Sequence, residues 1–213
     1  MQELTTEIFL IRHGQTVSNT LGRIQGHSDS PLSELGQKQA DYLAKRLSSV
    51  PFSRIYSSDL GRAMATAQIL AQAQLVQEVY PDRRLREVSF GQVEGLTWAE
   101  VATEHPDLQT SWFQHEAEAK LPGGESREDV TNRVFQFLDD VVLQHKGQSI
   151  LAVTHGGVLA CILAKILQIG KGIRPASSFD NASLNIVSFK NDRWKIKTWN
   201  DSWHFREIEE AVY

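Results

Sequence analysis

Five residues in this chain could together move a phosphoryl group: Arg12, His13, Arg62, Glu87 and His155. A phosphoryl group spreads negative charge over three oxygens, so its site needs convergent cations and N–H donors. It also needs a nucleophile, and an acid that protonates the departing oxygen. Arg12 adjoins His13 and could fork onto two phosphate oxygens. Arg62 lies just after Ser57-Ser58-Asp59, near the start of a helical pattern. A helix N-terminus there would add backbone donors and a dipole that favours an anion. His155 precedes Gly156 and Gly157, which let backbone approach a ligand. His13 can attack only through an unprotonated ring nitrogen, and the two arginines disfavour its imidazolium form. A hydrogen bond to its other ring nitrogen would fix the tautomer, and the Gly14 carbonyl is the candidate partner. Singly, each residue also has a structural reading: Arg62 as a solvated helix residue, Glu87 as a salt-bridge partner, His155 as a core histidine in a tight turn. The combination carries the functional reading. His27, His105, His115, His145 and His204 read as structural or surface residues.

These residues must be brought together by the elements around them. Glu7–Arg12 (EIFLIR) and Ser149–Thr154 (SILAVT) read as buried strands, and each ends immediately before one of the two histidines. Ser33–Leu47 reads as a helix with Ser33 as N-cap and Leu35, Ala40, Leu43, Ala44 and Leu47 on its apolar face. Arg54–Tyr56 is a short strand candidate, and Leu60–Leu75 a helix buried through Ala63, Ala67, Leu70 and Ala71. Arg84–Val88 is extended or loop. Trp98–His105 is a short helix ended by Pro106, and residues 106–125 show no clear periodicity. Ser126 to Asp129 has the form of a capping box and opens a helix to about His145. Gly156–Leu167 is a helix. Ser183–Lys190 and Arg193–Trp199 read as a strand pair turning at Asn191-Asp192. The alternation implies an α/β fold around a mostly parallel sheet with an antiparallel edge. Ligands bind at the carboxyl ends of such strands, so both strand-end histidines could face one crevice.

Composition excludes several other classes. At 213 residues the chain suits a single domain spanning 1–213. Its net charge of -4 argues against a nucleic-acid partner, which needs a clustered basic face. Cys161 is the single cysteine, so no internal disulfide forms and a reducing, cytoplasmic setting is expected. The N-terminus has no signal-peptide pattern, and no apolar run approaches the ~20 residues needed to cross a membrane. Asp-x-Asp at a strand end, His-Glu-x-x-His, Gly-x-Ser-x-Gly, Gly-x-Gly-x-x-Gly and Walker A runs are all missing. Neither a metal nor another cofactor is expected.

Several longer stretches extend the pattern. They are Leu10 to Asn19 (LIRHGQTVSN), Gly22 to Gly26 (GRIQG), Pro31 to Ala40 (PLSELGQKQA), Ser57 to Ala63 (SSDLGRA) with Thr66-Ala67, Leu85 to Gly95 (LREVSFGQVEG), Pro122 to Ser126 (PGGES) and Val153 to Gly157 (VTHGG). In these blocks, which span nearly the whole chain in order, it resembles the histidine phosphatase superfamily. That group includes cofactor-dependent phosphoglycerate mutases and related phosphatases. The resemblance implies a three-layer α/β/α sandwich, phosphoglycerate mutase-like, with residues 97–124 as an inserted cap. It makes His13 the phosphohistidine nucleophile and Glu87 the proton donor to the leaving group and then the base for water. Arg12, Arg62 and His155 would hold the phosphoryl group, with Asn19 as an additional donor. Thr16, Gln25 and Gly156 match positions near the phosphate or the substrate mouth.

The same resemblance bears on the acceptor. The mutases carry more chain between the acidic residue and the Pro-Gly-Gly-Glu-Ser block, and two sequence runs that this chain lacks. Metal-independent hydrolysis of a small phosphorylated metabolite is therefore expected. A phosphoglycerate mutase is the first alternative, and a non-catalytic phospho-ligand-binding module the second. Phosphoserine, α-ribazole phosphate and phosphoglycerate-type compounds remain substrate candidates. Phe90 stands where phosphoserine phosphatases of the group tend to carry histidine. A homodimer is compatible with this reading.

Overall fold

A computed structural model describes residues 4–74, 78–113, 120–169 and 179–205. The strands are β1 (Thr6–Arg12), β2 (Phe52–Ser57), β3 (Val79–Pro81), β4 (Ser149–Thr154), β5 (Leu184–Lys190) and β6 (Arg193–Asp201). They form one six-stranded sheet in the order β3-β2-β4-β1-β5-β6. β1 through β4 run parallel, and β5 and β6 form an antiparallel edge. The helices are α1 (Val17–Thr20), α2 (Glu34–Leu47), α3 (Gly61–Gln72), α4 (Trp98–Glu104), α5 (Pro106–Phe113), α6 (Arg127–Gln144) and α7 (Gly156–Ile166).

Period-two alternation in β1 and β4 explains the layering. Successive strand side chains point to opposite faces, so a strand covered on both sides is apolar throughout. Ile8 and Leu10 of β1, with Ile150 and Ala152 of β4, enter a core containing Val134, Phe137 and Leu138 of α6 and Leu159 and Ile162 of α7. Phe9, Ile11, Leu151 and Val153 point the other way. They pack with Leu43 and Leu47 of α2 and Ala63, Ala67 and Leu70 of α3. The result is a three-layer α/β/α arrangement.

Register then sets the site. Arg12 pairs with Thr154 across the parallel ladder, so the next residues, His13 and His155, leave adjacent strands together. The hairpin joining β5 to β6 turns through Asn191 and Asp192, both with φ near +50° (52° and 53°), the conformation a tight two-residue turn requires.

Several boundaries differ from expectation. β2 extends Arg54–Tyr56 in both directions, and β6 continues past Trp199 to Asp201. α3 starts at Gly61 and ends at Gln72, and Leu75 lies outside the described residues. α1 and β3 have too few residues to show a period. Pro106 ends α4 and also opens α5, because proline fits the first turn of a helix, where its missing N–H costs nothing. The expected cap therefore contains α4 and α5, while residues 114–119, with His115, lie outside the described residues, as do the side chains of Trp112 and Phe113. Among the described residues, no helix is long and apolar enough to cross a membrane.

Candidate active site

The turn after β1 is held from several directions. The His13 N–H donates to the Thr154 carbonyl at 3.0 Å. The His13 carbonyl accepts from the Ala182 N–H and from Asn181 Nδ2, each at 3.1 Å. The Gly14 N–H donates to Thr66 Oγ1 on α3. Gly14 also presses on α2, where a Cβ would lie 2.4 Å from the Gly36 carbonyl oxygen, so no other residue fits without moving backbone.

His13 is 2% exposed. Its Nδ1 lies 2.8 Å from the Gly14 carbonyl, which can only accept. Nδ1 therefore carries the proton and Nε2 carries the lone pair, with Arg62 Nε donating to it at 3.3 Å. Burial lowers the His13 pKa well below its ordinary value, and Arg12 and Arg62 lower it further, against the opposing Gly14 bond. The ring is neutral and its unprotonated nitrogen is directed toward Arg62.

His155 lies beside it, with ring centroids 5.1 Å apart. It is fully buried, and neither ring nitrogen has a hydrogen-bond partner. Burial holds it neutral too, with Arg62, His13 and Arg12 acting in the same direction. Arg12 Nε is likewise buried without a partner, while its Nη1 donates to the Phe179 carbonyl. Buried polar groups in folded proteins nearly always find partners, so unpaired ones side by side suit a ligand that supplies acceptors.

Arg62 is 1% exposed. Nη2 donates to the Gly26 carbonyl at 2.7 Å and Nη1 to the Ser28 carbonyl at 2.9 Å. The expected anion site at the start of α3 takes a different form. α3 has no side-chain cap of its own, and Asp29 accepts from the Gly61 N–H at 2.5 Å and the Arg62 N–H at 3.2 Å. A carboxylate of the chain already occupies that helix N-terminus.

Glu87 sits in a loop between two 3-10 turns, Arg83–Leu85 and Gly91–Val93. Its carboxylate accepts from its neighbour's Val88 N–H at 2.9 Å and from the Gly157 N–H at 3.2 Å. A Cβ on Gly157 would lie 2.4 Å from Glu87 Oε1, so the second glycine after His155 makes room for the acid.

A cavity of about 130 Å³ brings together Arg12, His13, Asn19, Gln25, Arg62 and Glu87. Arg23, Ile24, Gly26, Phe90 and Trp98 complete its wall. Asn19 Oδ1 accepts from Thr16 and Asn181, leaving its Nδ2 available to a ligand. Three of the expected residues do not line this cavity. His155 is wholly buried beside His13. Gly156 lies against Arg12, where a Cβ would sit 3.5 Å from Nε. Thr16 is fully buried as the N-cap of α1 and is also 3.1 Å from Gln25 Oε1, so it positions Asn19 and Gln25. Of the tryptophans, Trp98 lines the cavity and Trp203 does not. Among the described residues, no group of three or more His, Cys, Asp or Glu side chains could hold a metal ion.

Sequence reasoning missed four supporting side chains. Asn181 holds the turn after β1 and Asp29 caps α3. Glu94 accepts from the His27 and Ser28 N–H groups and from the Phe90 N–H, joining the loop behind Arg62 to the loop after Glu87. His27, read as structural, reaches the Glu87 carbonyl.

Comparison with known proteins gives four related findings. The family model for the histidine phosphatase superfamily (branch 1) matches residues 8–202. The chain is 38% identical over 206 residues to a metal-independent phosphoserine phosphatase of Arabidopsis thaliana, covering 95% of this chain and 84% of that one. It is 34% identical over 193 residues to a probable phosphoglycerate mutase, GpmB, of Proteus mirabilis, covering 91% and 89%. Among solved structures, a mycobacterial glucosyl-3-phosphoglycerate phosphatase superposes with a TM-score of 0.82 at 34% identity, over 91% of this chain and 98% of that one.

Proposed function

The chain belongs to the histidine phosphatase superfamily and is a phosphatase of that family, and we propose that it hydrolyses a small phosphorylated metabolite through a phosphohistidine at His13, without a metal ion. The observation that carries this reading is the pairing of a neutral His13, unprotonated at Nε2, with unpartnered donors at Arg12 and His155.

In the first step His13 Nε2 attacks phosphorus, the bond to the leaving oxygen breaks, and Glu87 gives that oxygen a proton. Phosphate oxygens take up Arg12 Nε, the His155 ring N–H and Asn19 Nδ2, while Arg62 stabilises charge next to the new P–N bond. In the second step the Glu87 carboxylate takes a proton from water. The resulting hydroxide attacks phosphorus, inorganic phosphate leaves, and His13 is restored. Arginines supply the positive charge that a metal supplies elsewhere.

The leaving group would meet Arg23, Ile24, Phe90 and Trp98, a mixed cationic and apolar rim. The relatives named above act on phosphoserine and on glucosyl-3-phosphoglycerate, as their names state. Phe90 disfavours phosphoserine here. A relative named a probable mutase keeps phosphoglycerate transfer as the second reading. Retention of every reacting side chain speaks against a purely binding role.

The test is turnover of a phosphomonoester panel in the presence of chelator, with free phosphate and mutase products both measured. We expect phosphate release that chelator does not reduce, and an acid-labile, base-stable phosphoprotein lost in His13→Ala. Normal turnover by His13→Ala would refute the assignment.

A further inference from the structure

The loop that carries Glu87 has no ladder of its own, so its backbone carbonyls need partners from elsewhere. Thr154 Oγ1 donates to the Leu85 carbonyl at 2.8 Å. One side chain, Arg133 of α6, takes the carbonyls on both sides of that point. Its Nη1 donates to the Arg84 carbonyl at 2.7 Å and its Nη2 to the Glu87 carbonyl at 2.9 Å. His27 Nε2 donates to the same Glu87 carbonyl at 2.9 Å.

The other edge of the guanidinium is bound too. Arg133 Nε donates to Glu125 Oε1 at 2.9 Å, and Nη2 to Oε2 at 3.0 Å, a two-point pair with fixed geometry. Glu125 Oε2 in turn accepts from the Ser89 N–H at 3.0 Å. Burial pushes the Glu125 carboxyl up, but Arg133 and the Ser89 N–H outweigh it and hold the group below its ordinary pKa. The pair stays charged. Arg133 and Glu125 together therefore grip the chain at residues 84, 87 and 89, on both sides of the carboxylate, without lining the cavity.

We propose that Arg133, locked by Glu125, is the positioning residue for the general acid: it sets the direction in which Glu87 meets the leaving oxygen. The helix explains why this residue can do so. Ser126 caps α6, and Arg133 follows seven residues later, two turns along the face that also carries Val130, Val134 and Phe137 into the core. A planar, multi-donor cation at that place reaches two carbonyls and a carboxylate at once, which lysine cannot do. The inference rests on Glu87 as the proton donor.

The experiment compares wild type, Arg133→Met, Glu87→Gln and the double variant on p-nitrophenyl phosphate and on an alkyl phosphate such as glycerol phosphate. A well-placed acid contributes about 10²–10⁴-fold, chiefly for leaving groups of high pKa. We expect Arg133→Met to lose about 30-fold or more in kcat on the alkyl ester and less than about threefold on the nitrophenyl ester. Inhibition by inorganic phosphate should stay within about threefold, because Arg133 does not touch the anion pocket. In the Glu87→Gln background the same substitution should add less than about threefold, since the two act through one group. Arg133→Lys should recover part of the alkyl-ester rate. If Arg133→Met does not fold, Glu125→Gln, which keeps the side-chain shape, is read against the same criteria. Multiplicative losses in the double variant, or equal losses on both esters, overturn the inference while leaving Glu87 in its role. Equal losses across leaving groups in Glu87→Gln, or no wild-type turnover, overturn the role of Glu87 and this inference with it.

Discussion

The two buried histidines make a quantitative prediction about pH. His13 and His155 both have an ordinary pKa of 6.5, and burial holds each well below it in the folded chain. The unfolded chain takes up a proton on each as the pH falls through its ordinary value, and the folded chain does not. Stability is therefore complete above that value and is lost as the pH falls toward the depressed folded values. Between pH values of about 7.5 and 5.5, a histidine that stays neutral in the folded state costs on the order of 1 kcal/mol, and the pair on the order of 2–3 kcal/mol. At a urea slope of about 2 kcal/mol/M, that pair lowers the midpoint by roughly 1 M. The assay is urea unfolding of wild type, His13→Gln, His155→Gln and the double variant at both pH values, in buffer free of phosphate. Each substitution shifts stability on its own account, but the difference between the two pH values isolates proton uptake. Each single variant should lose on the order of 1 kcal/mol less on acidification than wild type. A single variant with the wild-type pH drop would refute the neutral, buried assignment of that histidine.

Two further substitutions probe the support. Asp29→Ala removes the cap of α3 and the carboxylate 3.3 Å from Arg62 Nη1, and should cost about 1 kcal/mol in urea unfolding and weaken phosphate inhibition; unchanged values on both counts would show that α3 finds another cap. Gly157→Ala places a Cβ 2.4 Å from Glu87 Oε1 and 2.8 Å from Val88 Cγ2, so kcat on alkyl phosphates should fall about tenfold or more, and a wild-type rate would show that the acid tolerates displacement.

The sheet and the reacting pair were legible because they follow from local pattern. EIFLIR and SILAVT are apolar on both faces, and the residues after them are histidines. Asn191-Asp192 announced its turn by type. Arg62 was legible as a cation, but its surroundings were not. Its acceptors are carbonyls at Gly26 and Ser28, brought close only by the folded chain, and the anion at the start of α3 is Asp29, more than thirty residues upstream of the helix it caps. Arg133 carried no signal of its own in the sequence. Its partners are the Glu125 carboxylate and backbone carbonyls in a loop without period, which no spacing rule addresses. α1 and β3 are held by tertiary contacts and carry too few residues for a repeat.

The position of β1 in the sheet also governs when the molecule can come into being. Its neighbours are β4 and β5, which pair Leu10 with Ala152 and Asn185. On a ribosome adding about 5–20 residues per second, the first strand waits roughly 10–35 seconds for both partners to be made. During that time Ile8, Leu10 and Ile11 have no sheet to join, and exposed apolar strands of that kind invite aggregation. The proposed site shares the same delay, because His155, Phe179 and Asn181 are made long after His13. Closure of the sheet and assembly of that site are thus coupled, completed only as the β5–β6 hairpin closes on the first strand.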